Sequence, residues 1–239
     1  MKFLYLEETE STNKFAKEHI SELENLTVVY TSSQTAGRGR MERKWADTGK
    51  NNIYASIVLK PSKEMKEIYA NLTQYLCVVL VELFEEYNIY PQIKWPNDIR
   101  INGKKISGIL AEAVFDKNEF KGLVLGVGVN LSSTEKDLEK IDQPCTSLFV
   151  ETGMEIDKEI FLKKLTDKFC LRYNKFIEEG FLLIREDYKK RAEFLNMPIT
   201  VRVFDSEISG IAKDITDSGA LKLIDNENKE HVLLIGDIL

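Results

Sequence analysis

Residues Gly108–Val129 read GILAEAVFDKNEFKGLVLGVGV, and this stretch decides the fold class. Two apolar runs, 108–115 and 120–129, flank a polar turn at Asp116–Asn118 and contain no proline. The pattern predicts two long strands joined end to end. Just upstream, Ile99–Ile101, the turn Asn102-Gly103 and Lys104 onward read as a second hairpin, because Asn-Gly supplies the positive φ that a tight turn needs. Ile93–Trp95 is a short strand stopped by Pro96, with Asn97 and Asp98 in the turn that follows. Further back, Lys63–Tyr87 reads as a helix with Leu72, Leu76, Val79, Leu80 and Leu83 on one stripe. Strands are predicted at Ile53–Leu59, Thr27–Thr31 and Lys2–Glu7. Between the last two, Phe15, Ala16, His19, Ile20 and Leu23 recur at helical spacing behind the caps Ser11 and Thr12.

Downstream, Lys158–Glu178 and Gly180–Phe194 are predicted as two amphipathic helices. After Asn196-Met197-Pro198 only short strands remain: 200–204, 208–215, 221–224 and 232–235. The chain is therefore read as α+β, a mixed sheet packed with helices over 1–195 and a small β-barrel over 196–239.

Composition narrows the function classes. The 239 residues carry 33 Lys and Arg against 39 Asp and Glu, a net charge of −6. The apolar content of 43% is too high for disorder. The longest apolar run, Tyr75–Phe84, includes Glu82 and falls short of the roughly 20 residues of a membrane span. Glu7 and Glu8 follow only a few apolar residues, so no secretory signal is read at the start. Cys77, Cys145 and Cys170 are odd in number and show no CxxC spacing, which points to buried thiols in a reducing, cytoplasmic setting. No partner membrane is expected. Nor is nucleic acid, because basic groups are not spread over a face. They are concentrated instead: Arg38, Arg40, Arg43 and Lys44 lie within seven residues against Glu42 alone. That is an anion site in an acidic protein.

The segment Gln34–Trp45, QTAGRGRMERKW, sits in an aperiodic stretch, Ser32–Asn52, whose length suits a functional loop. It is expected to be mobile until a ligand orders it. Gly37 and Gly39 let the backbone approach a ligand closely, and Arg38 and Arg40 project guanidiniums suited to phosphate oxygens. Trp45 offers a flat surface for a purine. A basic loop with a buried Trp would give the same pattern. No Gly-Lys-Ser/Thr follows, so this is not a Walker loop. Gly126-Val127-Gly128 lacks the third glycine of a dinucleotide fingerprint and reads better as a close-packed sheet position.

Taken in order, GRGRMERKW, KWPND (Lys94–Asp98), KKISGIL (Lys104–Leu110) and GVGVNL (Gly126–Leu131) resemble the biotin protein ligases. Ser11-Thr12-Asn13 near the start and a C-terminal β-module fit the same pattern, so the likeness runs from about Phe3 to the end. It implies a catalytic domain like the class II synthetases and a C-terminal barrel resembling a Src-homology-3 fold. It also implies a two-step reaction: biotin and ATP give biotinyl-5′-AMP, from which a lysine of a biotin carboxyl carrier protein takes the biotin. Matched position by position, Ser11, Thr12, Asn13, Gln34, Gly37, Arg38, Gly39, Arg40, Lys105 and Gly108 fall at biotin. Arg38, Arg40, Arg43, Trp45, Asn97 and Asn130 fall at the nucleotide, and Asp98 near Mg²⁺ on ATP. Lys105 and Arg40 are the catalytic candidates. Glu42 departs from a common glycine. No helix-turn-helix precedes the motifs, so a repressor role is not implied. Pairing of two copies into a homodimer is left open.

By residue type alone, Ser11-Thr12-Asn13 is a helix cap, Lys105 a solvated charge, Asp98 a turn former and Trp95 core. His19 and His231 read as structural. The competing functions are a lipoate–protein ligase and a non-catalytic biotin-sensing protein.

Overall fold

The computed structural model describes residues 1–41, 43–61 and 66–239, without the side chains of 66–70. Glu42 and the expected helix start at Lys63 lie outside the described residues.

Seven strands form one mixed sheet: β1 (Lys2–Thr9), β2 (Thr27–Gln34), β3 (Ile53–Leu59), β4 (Gln92–Lys94), β5 (Asp98–Ile101), β6 (Lys104–Asp116) and β7 (Glu119–Val129). Their spatial order is β1-β2-β3-β7-β6-β5-β4. β1 and β2 are parallel, because helix α1 (Thr12–Glu18) returns the chain to the same end of the sheet. The remaining neighbours are antiparallel. The stretch that decides the fold is the central β6–β7 hairpin, and its register sets Gly108 against Gly128 and Leu110 against Gly126. Bare backbone thus lies in the middle of the sheet.

Helix α2 (Lys66–Glu85) shows more than the expected stripe. Beyond Leu72, Leu76, Val79, Leu80 and Leu83, the intervening Cys77, Val78, Val81 and Phe84 are also fully buried. The sheet covers one side of α2, and α5 (Lys158–Glu179) covers another, with Tyr75 stacked on Phe176 at 4.5 Å and tilted against Phe169 at 5.1 Å. A helix covered on two sides needs a wider apolar surface than one stripe.

Three expectations are corrected. α1 stops at Glu18 and does not continue to Leu23, since the His19 amide is shared between Lys17 and Phe15 carbonyls at the cap. The helix expected over Gly180–Phe194 breaks into a 3₁₀ turn (Gly180–Leu183) and the shorter α6 (Arg185–Lys190), because the backbone leaves helical angles at Gly180 (φ 67°, ψ −149°) and again at Ile184 (φ −116°, ψ −3°). Two short helices, α3 (Glu135–Leu138) and α4 (Leu148–Thr152), were not expected, although Thr134 with Asp137 forms a capping box and Ser147 caps α4. Four or five residues are too few to show a period.

The C-terminal strands β8 (Pro198–Val203), β9 (Ser206–Ile215), β10 (Leu221–Asp225), β11 (Glu230–Leu233) and β12 (Asp237–Ile238) form a separate antiparallel sheet, ordered β11-β10-β9-β8-β12. The last expected strand, 232–235, is displaced: pairing with β10 ends at Leu233, and the chain bends at Gly236 (φ 145°) to lay Asp237 beside β8. The turn before β10 fastens this sheet to α2. Ser218 O accepts from Asn71 Nδ2 (3.0 Å), and Gly219 O accepts from Gln74 Nε2 (2.9 Å) and from buried Trp95 Nε1 (3.4 Å). A Cβ on Gly219 would stand 2.2 Å from the Asn71 amide.

Candidate active site

One cavity opens over the β6–β7 glycines, walled by the start of α1, the end of β2, the arginine loop and the tail of the C-terminal sheet. Its two ends differ in chemistry.

The uncharged end is built by α1. Ser11 caps the helix, its Oγ accepting from Lys14 N. This places Thr12 and Asn13 in the first turn, both nearly buried. Gln34 Oε1 accepts from Thr12 N at 2.8 Å. Ser56 Oγ, on β3, lies 2.6 Å from Asn13 Oδ1 and 2.8 Å from Thr12 Oγ1. Gly126 is needed beneath this cluster, since a Cβ there would sit 2.2 Å from Asn13 Oδ1. Trp45 lies over Gly128 in the same way, with a Cβ there 2.3 Å from its ring. The Gly-Val-Gly pair is therefore close-packed, and it also floors the cavity.

The charged end depends on a break in register. Ile99 pairs with Ser107 but Arg100 pairs with Lys105, so Ile106 is the extra residue of a bulge. In a regular strand, residues three apart point to opposite faces. The bulge turns Lys105 to the face of Gly108, where a Cβ would meet Lys105 Cε at 3.0 Å. Lys105 is no solvated charge: its side chain is 16% exposed, pairs with Asp98 Oδ1 at 2.7 Å and sits 5.5 Å above the Trp45 ring. Beneath that pair, burial pushes the Cys77 thiol well up, so it stays protonated.

The arginine loop is a small hairpin. Arg38 bridges Lys44, Gly39 N donates to Arg43 O (2.7 Å), and Trp45 N donates to Gly37 O (3.0 Å). Its distal half is pinned by Asp47, which accepts from Ser33 Oγ, Gln34 N, Gly49 N and Tyr54 Oη. At the tip, Arg40 donates to Asn97 Oδ1 (3.2 Å) and to Gly236 O (3.1 Å), and it pairs with Asp237 Oδ1 at 3.0 Å. Arg43 reaches the other Asp237 oxygen at 3.8 Å.

Of the expected residues, the cavity lining brings together Ser11, Thr12, Asn13, Gln34, Arg38, Gly39, Arg40, Arg43, Trp45, Asn97, Asp98, Lys105 and Gly108. Gly37 lies behind it, where a Cβ would meet Trp45 O at 2.6 Å. Asn130 lies outside too, its amide spent on Thr146 O at 3.0 Å. Lys94 stands off the lining, and burial together with Arg100 pulls its ammonium below the ordinary lysine range. Asp98 is no lone turn residue: it opens β5 and holds Lys105. Among the described residues no group of three His, Cys, Asp or Glu is placed to hold a metal ion. Only Cys77 of the three cysteines is fully buried; Cys145 and Cys170 lie near the surface and are half-buried. His19 stacks on Phe15, and His231 pairs with Asp225 at 2.7 Å.

The family model described as Biotin/lipoate A/B protein ligase family matches residues 5–130, and that of the biotin protein ligase C-terminal domain matches 194–239. The chain belongs to this ligase family. It is 32% identical over 226 residues to the biotin–[acetyl-CoA-carboxylase] ligase of Paracoccus denitrificans, covering 91% of this chain and 92% of the relative. It is also 32% identical over 208 residues to the bifunctional ligase/repressor BirA of Bacillus subtilis, covering 86% of this chain but only 64% of that protein. The biotin protein ligase of Aquifex aeolicus, solved with biotin and ATP, superimposes with a TM-score of 0.84 at 26% identity, covering 100% of this chain and 97% of that one. No helix among the described residues is long and apolar enough to cross a membrane.

Within this ligase fold, sequence reading missed Asp237, Ser56 and Glu112. Asp237 lines the cavity, Ser56 and Glu112 stand behind it on Asn13, and all three are brought there by tertiary pairing, with no motif in their local sequence. Gly126 and Gly128 were noticed but not as cavity floor; their alternation opposite Gly108 was the available signal.

Proposed function

We propose that this chain couples biotin to ATP, forming biotinyl-5′-AMP and pyrophosphate, and transfers the biotinyl group to a lysine of a biotin carboxyl carrier protein. The observation that carries this reading is a single cavity with a hydrogen-bonding, uncharged end and a cationic end. The first suits the ureido ring of biotin: Ser11 keeps a hydroxyl hydrogen for a carbonyl, and Thr12 keeps lone pairs for an N–H. The second suits the phosphates.

In the first step an oxygen of the biotin carboxylate attacks the α-phosphorus, and the bond to the bridging oxygen of pyrophosphate breaks. Two anions must meet, so fixed cations at the α-phosphate do most of the work. Lys105, turned into the cavity by its bulge, supports this reading, as do Arg38 and Arg40 on the same lining. No base is required, since the carboxylate is already ionised, in keeping with the structural roles of both histidines. Mg²⁺ is assigned to the incoming ATP phosphates. Trp45 Nε1, buried with no partner among the described residues, is left for an acceptor on the nucleotide. In the second step the neutral lysine amine attacks the acyl carbon and AMP leaves. Free thiols in the chain agree with a cytoplasmic setting.

Calorimetry with biotin and with lipoate, alongside biotin-dependent release of pyrophosphate from ATP, tests the proposal. Heat and turnover with biotin alone are expected; preference for lipoate, or binding without turnover, overturns it.

A further inference from the structure

Glu112 lies on β6 one step beyond the cavity, and we infer that it is a positioning residue that sets the donor–acceptor polarity of the uncharged end. The inference rests on the biotin reading above and extends it to a residue that does not touch the ligand.

Asn13 Nδ2 is 2.8 Å from Glu112 Oε2 and 3.3 Å from Leu110 O, both acceptors only, so this end of the amide must be the NH₂. Its carbonyl therefore faces Ser56. Asn13 Oδ1 has no hydrogen, so the 2.6 Å contact takes the single hydrogen of Ser56. Thr12 then cannot receive that hydrogen. Its own goes to Gln34 Oε1 at 3.2 Å, and its lone pairs are left for the cavity. The donors are thus ordered: Thr12 gives to Gln34, Ser56 to Asn13 and Asn13 to Glu112. Ser56 is fully buried, so water does not scramble the order. Lys17 pairs with the other Glu112 oxygen and holds the carboxylate in orientation.

A donor at position 112 reverses this order. Asn13 turns its carbonyl outward and its NH₂ toward Ser56, Ser56 gives its hydrogen to Thr12, and Thr12 is left with one lone pair instead of two for a ureido N–H. A purely structural ion pair would be indifferent to the exchange of its partners. The charge swap Lys17→Glu/Glu112→Lys separates the two roles, because it preserves the pair but presents an ammonium to Asn13. Calorimetry on the full chain is expected to show biotin binding roughly ten- to hundred-fold weaker, with ATP affinity and Tm close to wild type. A second pair covers the case in which the swap does not fold: Glu112→Gln, which retains an acceptor, stays within about three-fold of wild type, whereas Glu112→Met, which retains none, loses about ten-fold. Wild-type biotin affinity in the swap, or equal affinities in the Gln and Met variants, overturns the assignment. Thr12→Val supplies the control. If it loses biotin affinity while the Glu112 variants do not, Glu112 has no such role; if it binds biotin normally, the underlying ureido reading fails instead.

Discussion

The two ends of the cavity are held in opposite ways. At the α1 end, Thr12, Asn13, Gln34 and Ser56 form a hydrogen-bonded cluster beside the Ser11 cap, all of them buried and held in place by protein partners. At the arginine-loop end, Arg40 and Arg43 converge on one carboxylate, Asp237, supplied from another sheet, with Arg43 largely exposed. The first arrangement fits a neutral ligand whose hydrogen bonds must be matched in place, since unmatched buried groups cost about 1–3 kcal/mol each. The second fits a charged ligand, because a carboxylate on the guanidiniums can be exchanged for phosphate. Recognition is thus prebuilt at one end and exchanged at the other.

The hardest test of that division is Lys105→Ala. It removes a cation from the charged end only, so adenylate formation should fall by about 10²–10³, while biotin affinity stays within a few-fold. Rapid-quench measurement of pyrophosphate beside biotin calorimetry checks both halves; a comparable loss of biotin binding would merge the two ends. Next in size is Arg40→Gly. A charge-assisted contact of about 1.5–3 kcal/mol implies roughly ten- to hundred-fold faster escape of the adenylate. The variant should still make adenylate but label lysines of a bystander such as serum albumin. If albumin labelling matches wild type while adenylate forms normally, Arg40 is not the latch. Asp47→Ala sharpens the comparison, because Asp47 touches both ends through Gln34 N and the loop behind Trp45. A loss of about 1–2 kcal/mol is expected, lowering Tm by roughly 2–8 °C and weakening biotin and ATP together. The smallest effect is assigned to Asp237→Asn in the ligand-free chain. Weakening one partly buried pair by about 1 kcal/mol should speed tryptic cleavage at Arg38–Lys44 roughly five-fold, with biotin affinity unchanged.

Local pattern decided much of this molecule. The β6–β7 hairpin, the Asn102-Gly103 turn and the arginine-glycine alternation are short-range signals, and the structure places them as read. The single stripe of α2 understated its burial, because the second covering layer, Phe169 and Phe176 on Tyr75, lies far along the chain in α5. The break at Gly180–Leu183 was equally invisible: Phe181 and Tyr188 continue the helical spacing, and only the backbone angles at Gly180 and Ile184 show that the path is not helical. At the site, the residue types of Ser11, Thr12 and Lys105 were legible, but not the device that aims them. Nothing in Lys-Lys-Ile-Ser-Gly announces a bulge at Ile106, and without it Lys105 would face away from Gly108. Asp237 was the least accessible of all, since its partners stand almost 200 residues earlier in the chain.

The mounting of the C-terminal sheet has a mechanical consequence. Two helices bolt it down: Asn71 and Gln74 of α2 hold Ser218 and Gly219, while Arg185 and Lys189 of α6 hold Ile215 O and Asp214. Its third tie, from Gly236 and Asp237 to Arg40, runs to the tip of a loop. A body braced by two helices stays put when a loop lets go of it. Release of Arg40 by an incoming phosphate would therefore swing the loop and leave the five-stranded sheet standing, like a door frame when the latch lifts.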